Sequence, residues 1–315
     1  MRVLVTGGAG FIGSHVAEQL LAAGHEVAIV DDLSSGKREN VPPGAQFVEA
    51  DIRTGCDDLF ASFRPEVLSH HAAQMDVRRS VREPDLDADI NVIGTLRLLQ
   101  NCVRHEVRKV IFASSGGAIY GEQTSFPASE EHQQYPVSPY GVSKLAGERY
   151  MYFYSVEYGL AYVALRYANV YGPRQDPHGE AGVVAIFGGN LRDGVPSTIY
   201  GSGEQTRDYI YVEDVARANL AALGYDGSSG AFNVGTGIET TVTELYDRMR
   251  SAAGSDVAAT FAPARPGEQS RSSISPARAK RELGWEPHVG IDEGLRKTLR
   301  AIGTSVTAKR QAAQS

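Results

Sequence analysis

The N-terminal half of the chain alternates short apolar runs with longer segments whose apolar residues recur at helical spacing. The first apolar run is RVLVTGG (2–8), and it is followed by the helical pattern FIGSHVAEQLLAAGH (11–25). Later apolar runs are EVAIVDD, AQFVEAD, EVLSHHAA, KVIFASS and AYVALRYANV, and long helical patterns cover about 84–104 and begin again near 139. Strands that alternate with helices in this way predict βαβ units and a parallel sheet.

This regular alternation ends after Val170, where turn-rich loops and short irregular elements follow. We therefore expect an α/β fold with a doubly wound parallel sheet over 1–168 and a smaller C-terminal α/β domain over 169–300. Segments near 210–236 are expected to return to the first domain. Residues 301–315 are expected to fray.

Composition narrows the possible partners. The chain has 315 residues, of which 42% are hydrophobic, enough for one large core or two modest ones. Its net charge of −7 argues against binding to nucleic acid or a membrane surface. Cys56 and Cys102 have no metal-ligand spacing, which favours a reduced, cytoplasmic protein without a metal. The chain begins directly with a strand and has no apolar run of about 18–20 residues, so we expect neither a signal peptide nor a membrane span.

A glycine-rich loop joins the first strand to the first helix. In TGGAGFIG, Gly7, Gly10 and Gly13 form G-x-x-G-x-x-G, and with Gly8 the loop also satisfies G-x-G-x-x-G. Such glycines allow backbone N–H groups to approach a pyrophosphate at the positive end of the following helix. The loop follows a strand and opens a helix, the context that this motif requires, so we predict a Rossmann dinucleotide site.

Acidic residues at the ends of the next strands refine that prediction. Asp31 ends the second strand, 18 residues after Gly13, where a carboxylate accepts bonds from ribose hydroxyls and repels a 2′-phosphate. The cofactor is therefore predicted to be NAD and not NADP. Asp32 follows directly. The alternative is that Asp31 and Asp32 only cap a loop. Asp51 follows the third strand, where it could bond adenine.

A tyrosine and a lysine form the candidate catalytic pair. SPYGVSK places Tyr140 and Lys144 four residues apart, on one face of a helix that begins after the fifth strand. An ammonium group close to a phenol stabilises the phenolate and lowers the phenol pKa from its ordinary value near 10. Tyr140 is thus a candidate general base near neutral pH.

These motifs together resemble the extended short-chain dehydrogenase/reductase family, in its nucleotide-sugar epimerase branch. The resemblance covers roughly residues 1–300 and depends on TGGAGFIGSH, DDLSSG, HAAQ, NVIGT, SPYGVSK, LRYANVYGPRQ, GSGEQTRDYIYVEDVA and RPGE. It implies an NAD-dependent UDP-sugar 4-epimerase that interconverts UDP-glucose and UDP-galactose through a transient 4-keto sugar. It also implies a homodimer, built through the helices near 84–104 and 139–157.

The resemblance assigns residues to two binding sites. The NAD site is implied to contain Gly7, Gly10, Phe11, Ile12, Gly13, Asp31, Asp32, Ser35, Asp51, Ile52, Ala72, Ala73, Gln74, Asn91, Ser114, Tyr140, Lys144 and Tyr167. The substrate site is implied to contain Ser115, Gly116, Tyr140, Asn169, Val183, Arg207, Arg265 and Glu268. In that site the two arginines hold the diphosphate, Glu268 holds the uridine ribose, and Gly182–Phe187 meets the uracil and phosphates.

The strand FASSGGAIYGE (112–122) departs from the family pattern. Aligned on IYG, the serine or threonine that the family uses in catalysis falls on Gly116, and no carboxylic acid precedes IYG. The lack of an acid argues against 4,6-dehydration and decarboxylation. Ser115, Ser114, the Gly116 backbone or a water could replace the hydroxyl, or Tyr140 and Lys144 could suffice.

Several alternatives remain open at this stage. A UDP-glucuronate 4-epimerase would need a pocket that accepts the carboxylate, for which Arg174 or the neighbouring loop amides are candidates, although Arg174 could instead face solvent. A UDP-N-acetylhexosamine 4-epimerase would need a wide sugar pocket, and a small residue at Ser272, seven positions after Arg265, would provide the room. A nucleotide-sugar ketoreductase and a non-catalytic NAD-binding regulator are further alternatives, although such regulators commonly lose the Tyr–Lys pair.

Overall fold

The computed structural model describes residues 1–177, 182–264 and 269–312, with side chains described as far as residue 303. The strands are β1 (Arg2–Thr6), β2 (Glu26–Asp31), β3 (Gln46–Glu49), β4 (Val67–His70), β5 (Lys109–Ser115), β6 (Ala161–Tyr167), β7 (Asn169–Tyr171), β8 (Thr198–Tyr200), β9 (Thr206–Arg207), β10 (Tyr209–Tyr211), β11 (Gly230–Val234), β12 (Thr240–Thr241) and β13 (Thr260–Ala262).

The helices are α1 (Phe11–Ala22), α2 (Asp57–Phe63), α3 (Val77–Arg82), α4 (Pro84–Ala88), α5 (Gly94–Arg104), α6 (Gly116–Ile119), α7 (Pro139–Tyr158), α8 (Val183–Asp193), α9 (Val212–Gly224), α10 (Val242–Ala253) and α11 (Ile291–Ala312). A π-turn, Asp89–Ile93, joins α4 to α5 into one continuous helical segment. The long helix expected over about 84–104 is therefore present, with a widened turn inside it.

The main sheet has seven parallel strands in the order β11-β6-β5-β4-β1-β2-β3. The chain runs outward in one direction from β1 to β3 and in the other from β4 to β6, so the order reverses beside β1. This is the Rossmann arrangement, in which ligands bind beyond the carboxyl ends of the strands at the reversal point. The predicted fold class is confirmed.

Alternating side chains on these strands build a core on each face of the sheet. On one face, Val3, Val5 and Ile29 pack with residues of α1 and α9. On the other face, Leu4, Leu68 and Phe112 pack with residues of α2, α5 and α7. The sheet is therefore covered on both faces, which is why its strands appear in the sequence as nearly continuous apolar runs.

The catalytic-pair helix α7 has clear start and stop signals. Ser138 caps its N-terminus by accepting a hydrogen bond from the Gly141 N–H at 3.2 Å, and Pro139 occupies the first turn. Gly159 ends it with a φ of +69°, the left-handed conformation favoured at helix C-termini. These signals fix the register that carries Tyr140 and Lys144.

The C-terminal half contains a separate core around Tyr171, Phe187, Tyr211, Tyr246 and Leu295. The strand pairs β7–β10, β8–β13 and β9–β12 lie in this half, together with α8, α10 and α11. Two later elements lie with the main sheet, because β11 pairs with β6 and α9 packs against α1. The proposed domain boundary at residue 168 stays a prediction.

The last helix, α11, extends from Ile291 to Ala312. The expected fraying from residue 301 stays a prediction. None of the helices described is long and apolar enough to span a membrane.

Candidate active site

The glycine-rich loop forms a tight cradle between β1 and α1. Gly7 has a φ of +67°, and a Cβ atom there would lie 2.6 Å from the Ala72 nitrogen. A Cβ atom on Gly13 would lie 2.2 Å from the Gly7 oxygen. Side chains at these positions would thus fill the space in which the backbone approaches itself, and Gly10 precedes the first residue of α1. The cradle has the form expected for a pyrophosphate.

Asp31 lies beside this cradle at the end of β2. Its carboxylate accepts hydrogen bonds from the Ala9 N–H at 3.0 Å and the Leu33 N–H at 2.9 Å. Burial raises the pKa of the Asp31 carboxyl, and the two amides act in the opposite direction. A Cβ atom on Gly36 would lie 2.7 Å from an Asp31 oxygen, so the loop leaves no room for a side chain there.

Asp32 and Asp51 have partners of their own. Asp32 is exposed, and its Oδ1 accepts hydrogen bonds from the Ser34 N–H at 3.0 Å and the Ser34 hydroxyl at 2.6 Å. Both Asp51 oxygens accept hydrogen bonds from the Arg53 guanidinium, whose proximity lowers the pKa of the Asp51 carboxyl. Asp32 thus caps its own loop, whereas Asp51 keeps lone pairs for a further donor.

The remaining predicted cofactor residues lie around the same edge of the sheet. Phe11 and Ile52 are buried in the core, Ala72 and Ala73 are half-buried after β4, and Ser35 is exposed. Gln74 and Asn91 are joined by two hydrogen bonds. The Gln74 N–H donates to Asn91 Oδ1 at 2.8 Å, and Asn91 Nδ2 donates to the Gln74 carbonyl at 2.9 Å. The π-turn between α4 and α5 thus holds the loop after β4.

A cleft of about 230 Å³ opens beyond the carboxyl ends of β5 and β6. Its lining residues are Ile12, Met75, Ser114, Ser115, Tyr140, Tyr167, Ala168, Asn169, Val170, Tyr171, Gln175, Gly182, Val183, Val184 and Tyr209. Seven of the predicted site residues are among them: Ile12, Ser114, Ser115, Tyr140, Tyr167, Asn169 and Val183. No carboxylate belongs to this lining within the described parts of the chain.

Lys144 lies below the cleft, one helical turn from Tyr140. Its ammonium donates a hydrogen bond to the Ala113 carbonyl at 2.9 Å and lies 5.8 Å from the centre of the Tyr140 ring. Burial lowers the pKa of the Lys144 ammonium to about 8, against the opposing influence of the Asp87 carboxylate. The Tyr140 ring reaches the cleft, while Lys144 itself is buried.

The two serines of β5 have different surroundings. Ser114 Oγ donates a 2.6 Å hydrogen bond to Glu148, which is ion-paired with Arg166. Ser115 lines the cleft with Tyr140, and its hydroxyl forms no hydrogen bond with another described residue. Of the two hydroxyls, that of Ser115 is therefore available to a substrate.

Gly116 lies at the start of α6, where the alternation of the strand ends. A Cβ atom there would lie 2.7 Å from Cδ1 of Ile274, a buried residue outside the cleft lining. A side chain at position 116 would therefore meet the core. The assignment of the Gly116 backbone to the substrate site stays a prediction.

The predicted substrate residues do not all meet in this cleft. Asn169 on β7 and Val183 at the start of α8 line it. Arg207 lies on β9 outside the lining and donates a hydrogen bond to the Thr206 carbonyl at 2.7 Å. Arg265 and Glu268 lie outside the described residues. The roles of all these residues stay predictions.

Two residues invoked for alternative substrates are engaged elsewhere. The Arg174 guanidinium donates to Ser14 Oγ at 3.0 Å and forms an ion pair with Glu18 on α1, so it does not face the cleft. Ser272 is buried, and Gln123 Nε2 donates to its hydroxyl at 3.5 Å. Neither residue belongs to the cleft lining.

Sequence reasoning missed several residues of this region. Met75, Tyr171, Gln175 and Tyr209 line the cleft without any motif of their own. Glu148 carries a signal that could have been used, because it follows Tyr140 and Lys144 at the same four-residue spacing on α7.

Comparison with known proteins identifies the class. Residues 3–235 match the NAD dependent epimerase/dehydratase family. A UDP-glucose 4-epimerase of Mycolicibacterium smegmatis is 47% identical over 305 residues, which cover 95% of this chain and 97% of that protein. The chain belongs to the NAD dependent epimerase/dehydratase family.

Solved structures show the same relationship. A UDP-glucose 4-epimerase from Thermotoga maritima with UDP-glucose has a TM-score of 0.95 and 48% identity, covering 97% of this chain and 100% of that one. A Thermus thermophilus UDP-glucose 4-epimerase in complex with NAD has a TM-score of 0.91 and 49% identity, covering 96% and 99%. The glycine cradle and the Asp31 carboxylate fit the cofactor on which this family depends.

Proposed function

We propose that the protein is an NAD-dependent UDP-sugar 4-epimerase that interconverts UDP-glucose and UDP-galactose. The observation that carries this proposal is the chemistry of the cleft. Tyr140 and Ser115 supply two hydroxyl groups to it, and its described lining has no carboxylic acid that could protonate a leaving hydroxyl. The family includes dehydratases, and the missing acid favours epimerisation over dehydration.

Three residues of the chain are proposed to remove the proton of the sugar O4 and to return it: Tyr140, Lys144 and Ser115. Bound NAD supplies the reversible hydride acceptor. Tyr140 takes the O4 proton and later returns it, which a phenol can do when a cation stabilises its phenolate form. Lys144 provides that cation from below the Tyr140 ring. Ser115 donates a hydrogen bond to O4 as negative charge develops there.

The C-terminal half is proposed to hold the nucleotide while the 4-keto sugar turns over. Asn169 and Val183 line the cleft, and α8 begins at its edge with Val183. Arg207 and Arg265 are proposed to bind the diphosphate, because guanidinium groups match phosphate oxygens, and Glu268 to bind the ribose. Binding energy placed on the nucleotide leaves the sugar free to present either face.

Glucuronate and N-acetylhexosamine substrates receive less support. Arg174, the candidate partner for a glucuronate carboxylate, is held by Ser14 and Glu18. Ser272, the candidate source of extra room, is buried beside Gln123. UDP-glucose and UDP-galactose are therefore the substrates that we propose.

The test is to incubate the protein separately with UDP-glucose, UDP-glucuronate and UDP-N-acetylglucosamine and to resolve the products by proton NMR. We expect UDP-galactose from UDP-glucose without net change in the absorbance of reduced nicotinamide. Tyr140→Phe should lower kcat by about 10²- to 10⁴-fold, because the proton acceptor is lost. Tyr152→Phe, on the exposed side of the same helix, is the matched control.

Three results would contradict the proposal. A 4-keto-6-deoxy product would indicate dehydration, and a stoichiometric nicotinamide signal would indicate a ketoreductase. Equal turnover by Tyr140→Phe and the unmodified protein would remove Tyr140 from the mechanism.

We also infer a homodimer formed through α5 and α7. Several large apolar side chains along these helices are exposed, namely Ile93, the last residue of the π-turn before α5, and Val142, Phe153 and Val156 on α7. Exposed apolar groups on neighbouring helices are typical of a surface that another helix pair covers.

A cytoplasmic location is the last part of the proposal. Cys56 and Cys102 are both free and buried. Free cysteines are typical of proteins in reducing compartments, which supports this inference.

A further inference from the structure

Asp87 is a fully buried carboxylate on α4 and is not part of the cleft lining. Its Oδ1 accepts hydrogen bonds from Gln74 Nε2 at 2.9 Å and from Asn91 Nδ2 at 3.1 Å, and its Oδ2 accepts one from Ser143 Oγ. These donors belong to the loop after β4, the π-turn and α7. One carboxylate thus ties together three segments that border the cofactor site.

The hydrogen-bond pattern indicates the charge of this group. Two amide N–H groups and one hydroxyl all point toward its two oxygens. An ionised carboxylate only accepts hydrogen bonds, so it satisfies all three donors. The donors are neutral, and a buried negative charge needs a compensating positive charge nearby.

Lys144 is the cation that meets this need. It follows Ser143, which binds Asp87, and the Asp87 carboxylate acts to raise the pKa of its ammonium. Within the described parts of the chain, Asp87 is the carboxylate that acts on the Lys144 ammonium. The other described groups close to Lys144 are the Ala113 carbonyl and Phe112 ring on β5, the Tyr140 ring on α7, and His70 and His71 at the end of β4.

The two histidines are neutral near pH 7. Burial lowers the pKa of His71 to about 3, and the Lys144 charge acts in the same direction. The pKa of His70 is lowered well below its ordinary value for the same reasons. The electrostatic balance at Lys144 is therefore set by burial, which opposes its charge, and by Asp87, which supports it.

We propose that Asp87 is a positioning residue for catalysis. Its carboxylate keeps Lys144 in the ammonium form and holds the loop after β4, through Gln74, and the π-turn, through Asn91, against the helix that carries Tyr140. This inference rests on the proposed function, in which a charged Lys144 stabilises the phenolate of Tyr140.

The expected effect has a definite sign. Lys144 loses its proton as the pH rises through a pKa of about 8, so kcat should fall on the alkaline side. Removing the Asp87 charge takes away the influence that raises this pKa, so the alkaline decline should begin at lower pH. If the Lys144 pKa falls by about one unit, kcat should be reduced roughly eightfold at pH 8.5 and less than twofold at pH 6.5.

The test compares Asp87→Asn with Asp85→Asn and Ser143→Ala. Asp85 is exposed on the same helix and controls for the loss of one negative charge. Ser143→Ala removes one hydrogen bond but keeps the Asp87 carboxylate. We expect the alkaline side of the pH profile of kcat to move only in Asp87→Asn. The KM for UDP-glucose should change less than kcat does in that variant.

A second readout does not depend on turnover. The chain has six lysines, so the Lys144 side chain can be followed by carbon NMR after labelling and assigned with Lys144→Met. Its titration should shift to lower pH in Asp87→Asn and remain unchanged in Asp85→Asn. If Asp87→Asn does not fold, Asp87→Ser, which leaves space for a water between the donors, gives the same comparison.

The outcomes separate the two proposals. An unchanged Lys144 titration in a folded Asp87 variant would overturn the role of Asp87, whatever the enzyme's substrate. Absence of UDP-glucose epimerisation by the unmodified protein would overturn the proposed function, and the NMR titration would still test Asp87.

Discussion

At the scale of single residues, the distinction between the neighbouring serines of β5 decides how the cleft works. Ser115 opens onto the cleft, and Ser114 donates its hydroxyl to buried Glu148. A hydrogen bond to a charged group contributes about 1.5–3 kcal/mol. Ser115 would give this stabilisation to the substrate as charge develops, whereas Ser114 gives it to ion-paired Glu148 in the folded protein. The two serines should therefore respond differently to the loss of a hydroxyl.

We expect Ser115→Ala to lower kcat about 10- to 100-fold with little change in thermal stability. Ser114→Ala should leave kcat within a few-fold and lower the free energy of unfolding by about 1.5–3 kcal/mol, because the ion-paired Glu148 carboxylate loses one of its hydrogen-bond donors. Initial rates of UDP-galactose formation and urea unfolding of both variants measure these effects. A larger loss of kcat in Ser114→Ala would show that the serines have been assigned the wrong way round.

The sequence could predict the identity of this strand but not the direction of its side chains. The Gly-rich motif, the Tyr–Lys spacing and the acid at the end of β2 are local patterns, and each lies where the sequence indicates. Gly116 could not be placed in the same way, because its surroundings depend on Ile274, which is 158 positions later in the chain. Asp87 was missed for a related reason, since its partners are brought together only by tertiary packing.

At the scale of elements, a buried ion pair joins α7 to the main sheet. Arg166 on β6 donates to both Glu148 oxygens, at 3.0 and 2.7 Å, and the two side chains are only 4% and 8% exposed. Arg166 also donates to the Tyr120 hydroxyl at 2.9 Å. This network fixes the helix that carries Tyr140 and Lys144 against β6, the strand that pairs with β5.

Breaking this pair should destabilise the protein strongly. Glu148→Gln leaves the Arg166 charge buried without its partner, so we expect the free energy of unfolding to fall by about 3–5 kcal/mol. Glu244→Gln is the matched control, because it breaks an exposed pair with Arg248 on α10 and should cost less than about 1 kcal/mol. Urea denaturation followed by circular dichroism compares them. Equal losses in the two variants would contradict a special role for the buried pair.

The elements differ in how far their sequence predicts them. The strands β1, β2, β4, β5 and β6 are apolar runs of four to seven residues, and the expected parallel sheet was confirmed. Strands such as β9 and β12 have two residues each and carry no usable periodicity. The π-turn at Asp89–Ile93 was also invisible, because its residues fit an ordinary helical pattern.

At the scale of the whole molecule, the main sheet and the C-terminal half each supply part of the cleft lining. The sheet edge carries the cradle, Tyr140 and Ser115, and the C-terminal half contributes Val183 and Tyr209 to the other side of the cleft. β11 and α9 return to the sheet between segments of that half. The chain therefore passes between the main sheet and the C-terminal half more than once, and these connections join the two sides of the cleft. Such connections suit a site whose walls must keep their spacing while a sugar turns between them.

The exposed apolar face of α7 leads to a prediction about assembly. Val142, Phe153 and Val156 lie on it, with Val156 69% exposed, and their spacing of eleven and three residues keeps them on one side of the helix. A single helix face of this kind is costly to leave in water, and burying such side chains contributes about 1.5–3 kcal/mol each.

We therefore expect the 33.9 kDa chain to sediment as a dimer at micromolar concentration. Val156→Glu should shift it toward the monomer, because burying an unpaired charge opposes association. Val195→Glu, at an exposed apolar position beyond α8, should leave the dimer intact. Sedimentation velocity measures all three proteins, and a monomeric unmodified chain, or a dimer insensitive to Val156→Glu, would show that this face has another use.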